Sequence, residues 1–264
     1  MKLLAIESSG PVASCALLED GIIRVEYSTD SGKKHSTTLL PMIDKALALC
    51  GCAPADLDAV AVTAGPGSFT GLRIGSATAK GLAAALGLPV IPVPTLMSLA
   101  MNAYGFAGIV SPIMDARREQ VYNGLYRFSR VSREEGEDGC ASGGTEDIPA
   151  KPEILADQRA VYVEDLIDEL NGRGEPVLFL GDGVPVYRSV IEEKCRVPFS
   201  FAPAHMARQR AASCAVLAEI LLREGVTETA EAHAPFYLRP SQAEQEKERA
   251  RAAAENGGNG DKGR

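Results

Sequence analysis

The segment Ala59–Leu86, reading AVAVTAGPGSFTGLRIGSATAKGLAAAL, constrains the fold more than any other stretch of the chain. An apolar run around Val60 and Val62 stops at Gly65-Pro66-Gly67, the pattern of a buried strand that ends in a tight turn. Ser68 or Thr70 can then cap a helix by taking an orphan backbone N–H, and Leu72, Ser76, Ala79, Ala83 and Leu86 recur at helical spacing. Strand, glycine loop and helix in this order predict an α/β protein. The helix is unusual because it carries Gly71, Gly75 and Gly81, each costing roughly 1 kcal/mol against alanine in a helical interior.

Gly71, Gly75 and Ala79 are four apart and form one bare stripe, on which another backbone can approach closely. Two occupants would offset the cost of the glycines: an anionic ligand at the helix N-terminus, or a second helix along the stripe. A P-loop requires Gly-x4-Gly-Lys-Ser/Thr, whereas Gly65 and Gly71 are one residue too far apart and Leu72-Arg73 follows. A dinucleotide fingerprint requires GxGxxG, and Gly65-Pro66-Gly67 runs on to Thr70 with Gly71 out of register. The spacing favours helix packing and leaves a ligand loop as the alternative.

Strand and turn signals give three strands at the start, Leu3 to Ile6, Val12 to Leu18 and Ile22 to Tyr27, then a helix capped near Ser36 with Pro41 in its first turn. The glycine segment follows, then a strand from Leu88 to Val93 and a helix from Thr95. Residues 81–114 are uncharged and longer than a bilayer span of ~20 residues, but Pro89, Pro92 and Pro94 interrupt them, so they read as a protein core and no membrane partner is expected. A second series begins near Ile109, continues through Val121 to Phe128, and resumes with a helix Glu164 to Leu170, a strand Val177 to Leu180 and a helix Val186 to Cys195. No third strand is evident there. The acidic, glycine-rich residues 130–147 read as an exposed loop that replaces or interrupts it. A helix from Ala207 to Arg223 ends at Gly225.

Both halves run a strand into Gly-x-Gly and then a helix, at Gly65-Pro66-Gly67 and at Gly181-Asp182-Gly183, the mark of a duplicated βββαβα unit and hence of an actin-like fold of two lobes facing a cleft. The expected divisions are 1–102 for the first lobe, 103–206 for the second, 207–240 for a helix and segment returning to the first, and a disordered tail at 241–264.

The net charge of −8 and the absence of tryptophan argue against a free-standing RNA-binding module. Six scattered cysteines read as reduced thiols. Three histidines without i, i+4 spacing exclude a helix-borne zinc pair, and no GxSxG supports a serine hydrolase. For an actin-like ATPase or small-molecule kinase, the candidates for a degenerate nucleotide cleft are Glu7, Asp115, Gly181 and Gly183, although Pro11 removes an N–H from the first turn.

GPGSFTGLRIG followed by ATAKGLA resembles the signature of the TsaB (YeaZ) family. LLAIESS, His35-Ser36 with Leu39-Leu40-Pro41, Met114-Asp115-Ala116-Arg117-Arg118 with Val121-Tyr122, and Pro235-Phe236-Tyr237-Leu238-Arg239 resemble its other motifs, with Glu7 where the family usually has Asp and Gln120 where it usually has Glu. The resemblance spans roughly residues 1–240 and implies an actin-like fold and a cytoplasmic, non-catalytic subunit in forming threonylcarbamoyladenosine on tRNA. It implies a heterodimer with TsaD, a ternary complex with the ATPase TsaE, a homodimer when TsaD is absent, and tRNA contact only through the complex. No cofactor is then expected on this chain alone, with ATP and a metal ion in the partner subunits. The His-xxx-His metal motif of TsaD is absent here. The interface expected from helix packing comprises Leu39, Ile43, Gly71, Arg73, Gly75, Thr78 and Ala79.

Overall fold

A computed structural model describes residues 1–129 and 149–239. The acidic segment 130–147 and the tail 241–264 lie outside the described residues. Strands β1 (Lys2–Glu7), β2 (Ala13–Glu19) and β3 (Ile22–Thr29) form an antiparallel meander, to which β4 (Ala59–Gly65) and β5 (Val90–Pro94) add in parallel, in the order β3-β2-β1-β4-β5. The second sheet contains β6 (Ile109–Asp115), β7 (Gln120–Arg127), β8 (Glu153–Tyr162), β9 (Val177–Leu180) and β10 (Phe199–Phe201), ordered β8-β7-β6-β9-β10. The two orders are the same when each sheet is counted from its own first strand. Two such sheets facing one another constitute the actin-like arrangement.

The third strand of the second lobe therefore exists, and β8 corrects the expectation that a loop replaces it. It is an edge strand whose residues are only half-buried or exposed. Its sequence, EILADQRAVY, lacks the apolar alternation that a one-sided buried strand shows.

Helices α1 (His35–Leu49) and α2 (Phe69–Leu86) cover the outer face of the first sheet, where Leu39, Ile43, Ala46, Ala79 and Ala83 join Leu4, Ile6, Val60 and Val62 in one core. Helices α4 (Val163–Arg173) and α5 (Val184–Lys194) cover the outer face of the second sheet. Between the sheets lie α3 (Thr95–Ala100) and α6 (Ala211–Arg223), whose apolar side chains share one core with both inner sheet faces, from Leu3 and Val93 to Val110 and Leu180. The lobes thus share a single central core. Because β1 and β4 are covered on both sides, they are apolar along almost their whole length.

Helix boundaries follow local chemistry. Ser68 caps α2 by accepting the Gly71 N–H at 3.2 Å, and Gly87, at φ 70°, ends it in the left-handed conformation. Pro41 lies in the second turn of α1 and not in the first as expected; Thr37, whose carbonyl has no proline N–H to accept there, is an exposed residue. α6 begins at Ala211, four residues later than expected, since Arg210 is still extended at φ −141°.

Candidate functional site

The bare stripe on α2 turns inward. A Cβ on Gly71 would overlap the backbone oxygen of Ser8, and one on Gly75 would overlap the Ser8 hydroxyl and meet Val62 at 3.4 Å. Ser8 occupies the notch these glycines leave and donates its hydroxyl to the Gly71 carbonyl at 2.9 Å, while the Ser68 N–H donates to the Ser9 carbonyl at 2.6 Å. The glycines exist so that the β1–β2 turn can lie directly on α2. Leu39, Ile43 and Ala79 are likewise buried in the first lobe. Five of the seven expected interface residues, Leu39, Ile43, Gly71, Gly75 and Ala79, therefore belong to the chain's own interior, because helical periodicity reveals a small-residue face without revealing what covers it. The accessible pair is Arg73, which stacks on Phe69 at 3.9 Å and bonds the Tyr237 hydroxyl at 3.3 Å, and the half-buried Thr78, whose hydroxyl is tied to the Ile74 carbonyl at 2.8 Å.

The outward face of the same helix pair has a different composition. On α2, Ala77, Gly81, Ala84 and Ala85 are exposed, and a Cβ at Gly81 would meet nothing within 4 Å. On α1, Leu40 is 56% and Leu49 70% exposed. Nothing in the isolated chain explains a helix-interior glycine at 81.

The second candidate region is a cleft of about 550 Å³ between the lobes, lined by the β1–β2 turn, the start of α2, the β6–β7 turn, Asp182 and residues 237–239. Glu7, at the end of β1, is buried. Both the Ser9 N–H and the Ser9 hydroxyl donate to its Oε1 at 2.6 Å. Burial pushes its carboxyl up to about 7 against these hydrogen bonds, with the charge of Asp182 adding to the rise. Asp182 is also raised, chiefly by burial, and accepts the Gln209 amide at 2.9 Å. Gln209 in turn packs against Gly10, so it bridges the β1–β2 turn of the first lobe and Asp182 of the second.

A nucleotide of the actin-like type would need backbone N–H groups from these turns. Three of them are already used: the Ser9 N–H by Glu7, the Gly183 N–H by the Ile113 carbonyl at 3.0 Å, and the Gly181 N–H by the Ala207 carbonyl at 2.9 Å. Gly181 and Gly183 are pressed on the backbone of β6 at Ile113 and do not face the cleft. Asp115 is held by Arg117 at 3.3 Å and by the Tyr187 hydroxyl at 3.1 Å. The two glycines of the second turn thus offer no N–H to a phosphate in the cleft. Of the four cleft candidates, Glu7 lies behind the turn and Asp115 lines the cleft, while Asp182, between the two glycines, is the residue of that loop that faces it.

A C-terminal strap closes one side of the cleft. His233 is buried between the Ser76 hydroxyl and Glu228, each at 2.9 Å, and Lys80 holds the His233 carbonyl at 2.7 Å. The Phe236 N–H donates to the Ala64 carbonyl at 2.6 Å, Tyr237 stacks on Phe69 at 4.7 Å, and Arg239 crosses to the second lobe to donate to the Ala116 carbonyl at 3.1 Å. Among the described residues, no group of three or more His, Cys, Asp or Glu side chains is placed to hold a metal, and no helix is long and apolar enough to cross a membrane.

A family model described as TsaD, tRNA N6-adenosine threonylcarbamoyltransferase, matches residues 27–247. The tRNA threonylcarbamoyladenosine biosynthesis protein TsaB of Bacillus subtilis is 34% identical over 246 residues, covering 92% of this chain and 96% of that protein. The chain belongs to the TsaB family. The Escherichia coli TsaB protein is 36% identical over 157 residues, 59% of this chain and 64% of that protein. The solved structure of YeaZ from Pseudomonas aeruginosa superposes with a TM-score of 0.72 at 28% identity, over 90% of this chain and 99% of that one. TsaB membership agrees with the motifs quoted from the sequence, and the residues of those motifs now have places: the glycine signature holds the β1–β2 turn, and Pro235–Arg239 forms the strap.

Proposed function

We propose that this TsaB-family chain is the non-catalytic partner of a TsaD-type transferase in tRNA threonylcarbamoyladenosine formation, and that it docks through the outward face of α1 and α2. It acts in the cytoplasm; ATP and the catalytic metal belong to partner subunits, TsaE among them, and tRNA is met only in the complex. The observation that carries the docking surface is Gly81. It costs roughly 1 kcal/mol in the helix, no internal neighbour requires it, and it lies on an exposed face with Ala77, Ala84 and Ala85, beside a helix that exposes Leu40 and Leu49. Small residues there let a partner helix approach, and one of the two leucines, which lie about half a turn apart on α1, supplies apolar area beside them.

A non-catalytic role fits a cleft in which the Ser9, Gly181 and Gly183 N–H groups are satisfied internally and Gly181 and Gly183 pack on β6. The corresponding experiment has two arms. Gly81→Ala should stabilise the isolated chain by about 1 kcal/mol in denaturant unfolding. Gly81→Arg should leave the monomer folded and abolish co-purification with TsaD. Recovery of TsaD at wild-type yield with Gly81→Arg would refute the proposed surface. In the absence of TsaD the same face would pair with a second copy, and Gly81→Arg should then shift the chain to monomer in sedimentation.

A further inference from the structure

We propose that Arg117 and Arg118, with Arg239 beside them, form a contact for the phosphodiester backbone of RNA at the mouth of the interlobe cleft. This rests on the assignment of the chain to a tRNA-modifying complex and adds to it a site on this subunit. The connection between β6 and β7 places three successive non-glycine residues, Arg117, Arg118 and Glu119, in the left-handed region at φ 65°, 55° and 61°. Each costs about 1–2 kcal/mol for an L-residue. A tight hairpin turn of type I′ takes positive φ at both central positions, here Arg118 and Glu119 under the bond from the Gln120 N–H to the Arg117 carbonyl, but it favours Gly, Asn or Asp there, so placing Arg and Glu in the turn carries a cost to stability.

The turn is also rigidly held. The Ala116 N–H donates to the Gln120 carbonyl at 3.0 Å and the Gln120 N–H to the Arg117 carbonyl at 3.2 Å. From behind, the Val163 N–H donates to the Glu119 carbonyl at 3.0 Å and the Tyr187 hydroxyl to the Gln120 carbonyl at 3.2 Å. The consequence is that the Arg117 side chain is 87% exposed, Arg118 lines the cleft, and Arg239 brings a third guanidinium onto the same turn through the Ala116 carbonyl.

The opposite wall is the start of α2, an 18-residue helix with no acidic residue in its first turn, so its dipole adds positive potential. Of the two carboxylates lining the cleft, Asp115 is paired with Arg117 and Asp182 accepts the Gln209 amide. A chain of net charge −8 cannot gather RNA by its overall field, so any phosphate contact must be local. Guanidinium forks suit phosphate oxygens, and a diester, unlike a bound triphosphate, makes no demand on the turn N–H groups already in use.

The test uses the complex of this chain with TsaD and measures tRNA affinity as a function of salt for wild type and for Arg117→Gly/Arg118→Gly. Glycine is the residue best suited to positive φ, so the turn keeps its shape. The complex should assemble at wild-type yield, and the slope of log affinity against log salt should become shallower by about 1–2. Arg117→Lys/Arg118→Lys should retain most of the slope. An unchanged slope in an intact complex would overturn the proposal. So would loss of assembly by the glycine variant in a folded chain, which would assign the turn to a protein contact. Inorganic triphosphate titrated into the isolated chain separates the remaining source: arginine-dependent binding with an unchanged tRNA slope would assign a small polyphosphate and overturn the RNA site. Failure of the wild-type chain to assemble with TsaD would instead remove the functional assignment on which the proposal rests.

Discussion

Gly71→Ala is expected to lower the stability of the isolated protein by about 3 kcal/mol, a fall of roughly 6–12 °C in melting temperature. The added methyl would overlap the Ser8 carbonyl oxygen, a backbone atom that cannot turn aside as a flexible side chain could. Ser8 itself is fixed because its hydroxyl donates to the Gly71 carbonyl and because Ser9 receives the Ser68 N–H. The variant must therefore part α2 from the end of β1 or bend the turn. Gly75→Val should have an effect of similar size, by displacing the Ser8 hydroxyl and crowding Val62. Thermal melting of the two variants beside Gly81→Ala checks the assignment of faces. The account expects large losses at 71 and 75 and a gain at 81; equal, small effects at all three would contradict it.

Glu7→Gln is expected to stabilise the protein at pH 8 and to change little at pH 4. In the fold the Glu7 carboxyl is held at about 7, above its ordinary 4.5, chiefly because burial disfavours its charge. Between these values the folded chain binds more protons at this site than the unfolded chain, so stability declines as pH rises from 4.5 to 7. Above 7 the whole penalty is present, on the order of 3 kcal/mol. Gln keeps the acceptor oxygen that Ser9 uses at 2.6 Å and presents its amide towards the buried Thr63 hydroxyl, which faces the Glu7 carboxyl and is otherwise unpartnered. Urea unfolding at pH 4 and pH 8 gives the comparison. Wild type should lose stability over this interval relative to the variant, whereas parallel pH profiles would show that Glu7 is not the buried acid described.

Much of the fold was legible because its signals are local. β4 is a continuous apolar run, the meander is punctuated by Ser9-Gly10-Pro11 and Glu19-Asp20-Gly21, and both Gly-x-Gly turns announce a duplicated unit. β8 was not legible, since an edge strand buries too little to impose alternation. The direction of the α2 stripe was hidden for another reason. Its occupant, Ser8, lies 63 residues from Gly71 in sequence, and spacing within a helix cannot name a partner that distant. The strap and the cleft share this property: Arg239 meets Ala116 across 123 residues. The left-handed turn at Arg117–Glu119 contains no glycine to signal it, and Asp182 was masked by two glycines whose own role is to pack on β6.

The central claim, that the chain works by presenting the outer face of α1 and α2 to a transferase, is tested most directly by hydrogen exchange of the chain with and without TsaD. The account predicts added protection concentrated in peptides spanning 37–49 and 73–86, with the β8 edge and α5 unchanged. Protection confined to other elements, or none on mixing, would contradict it.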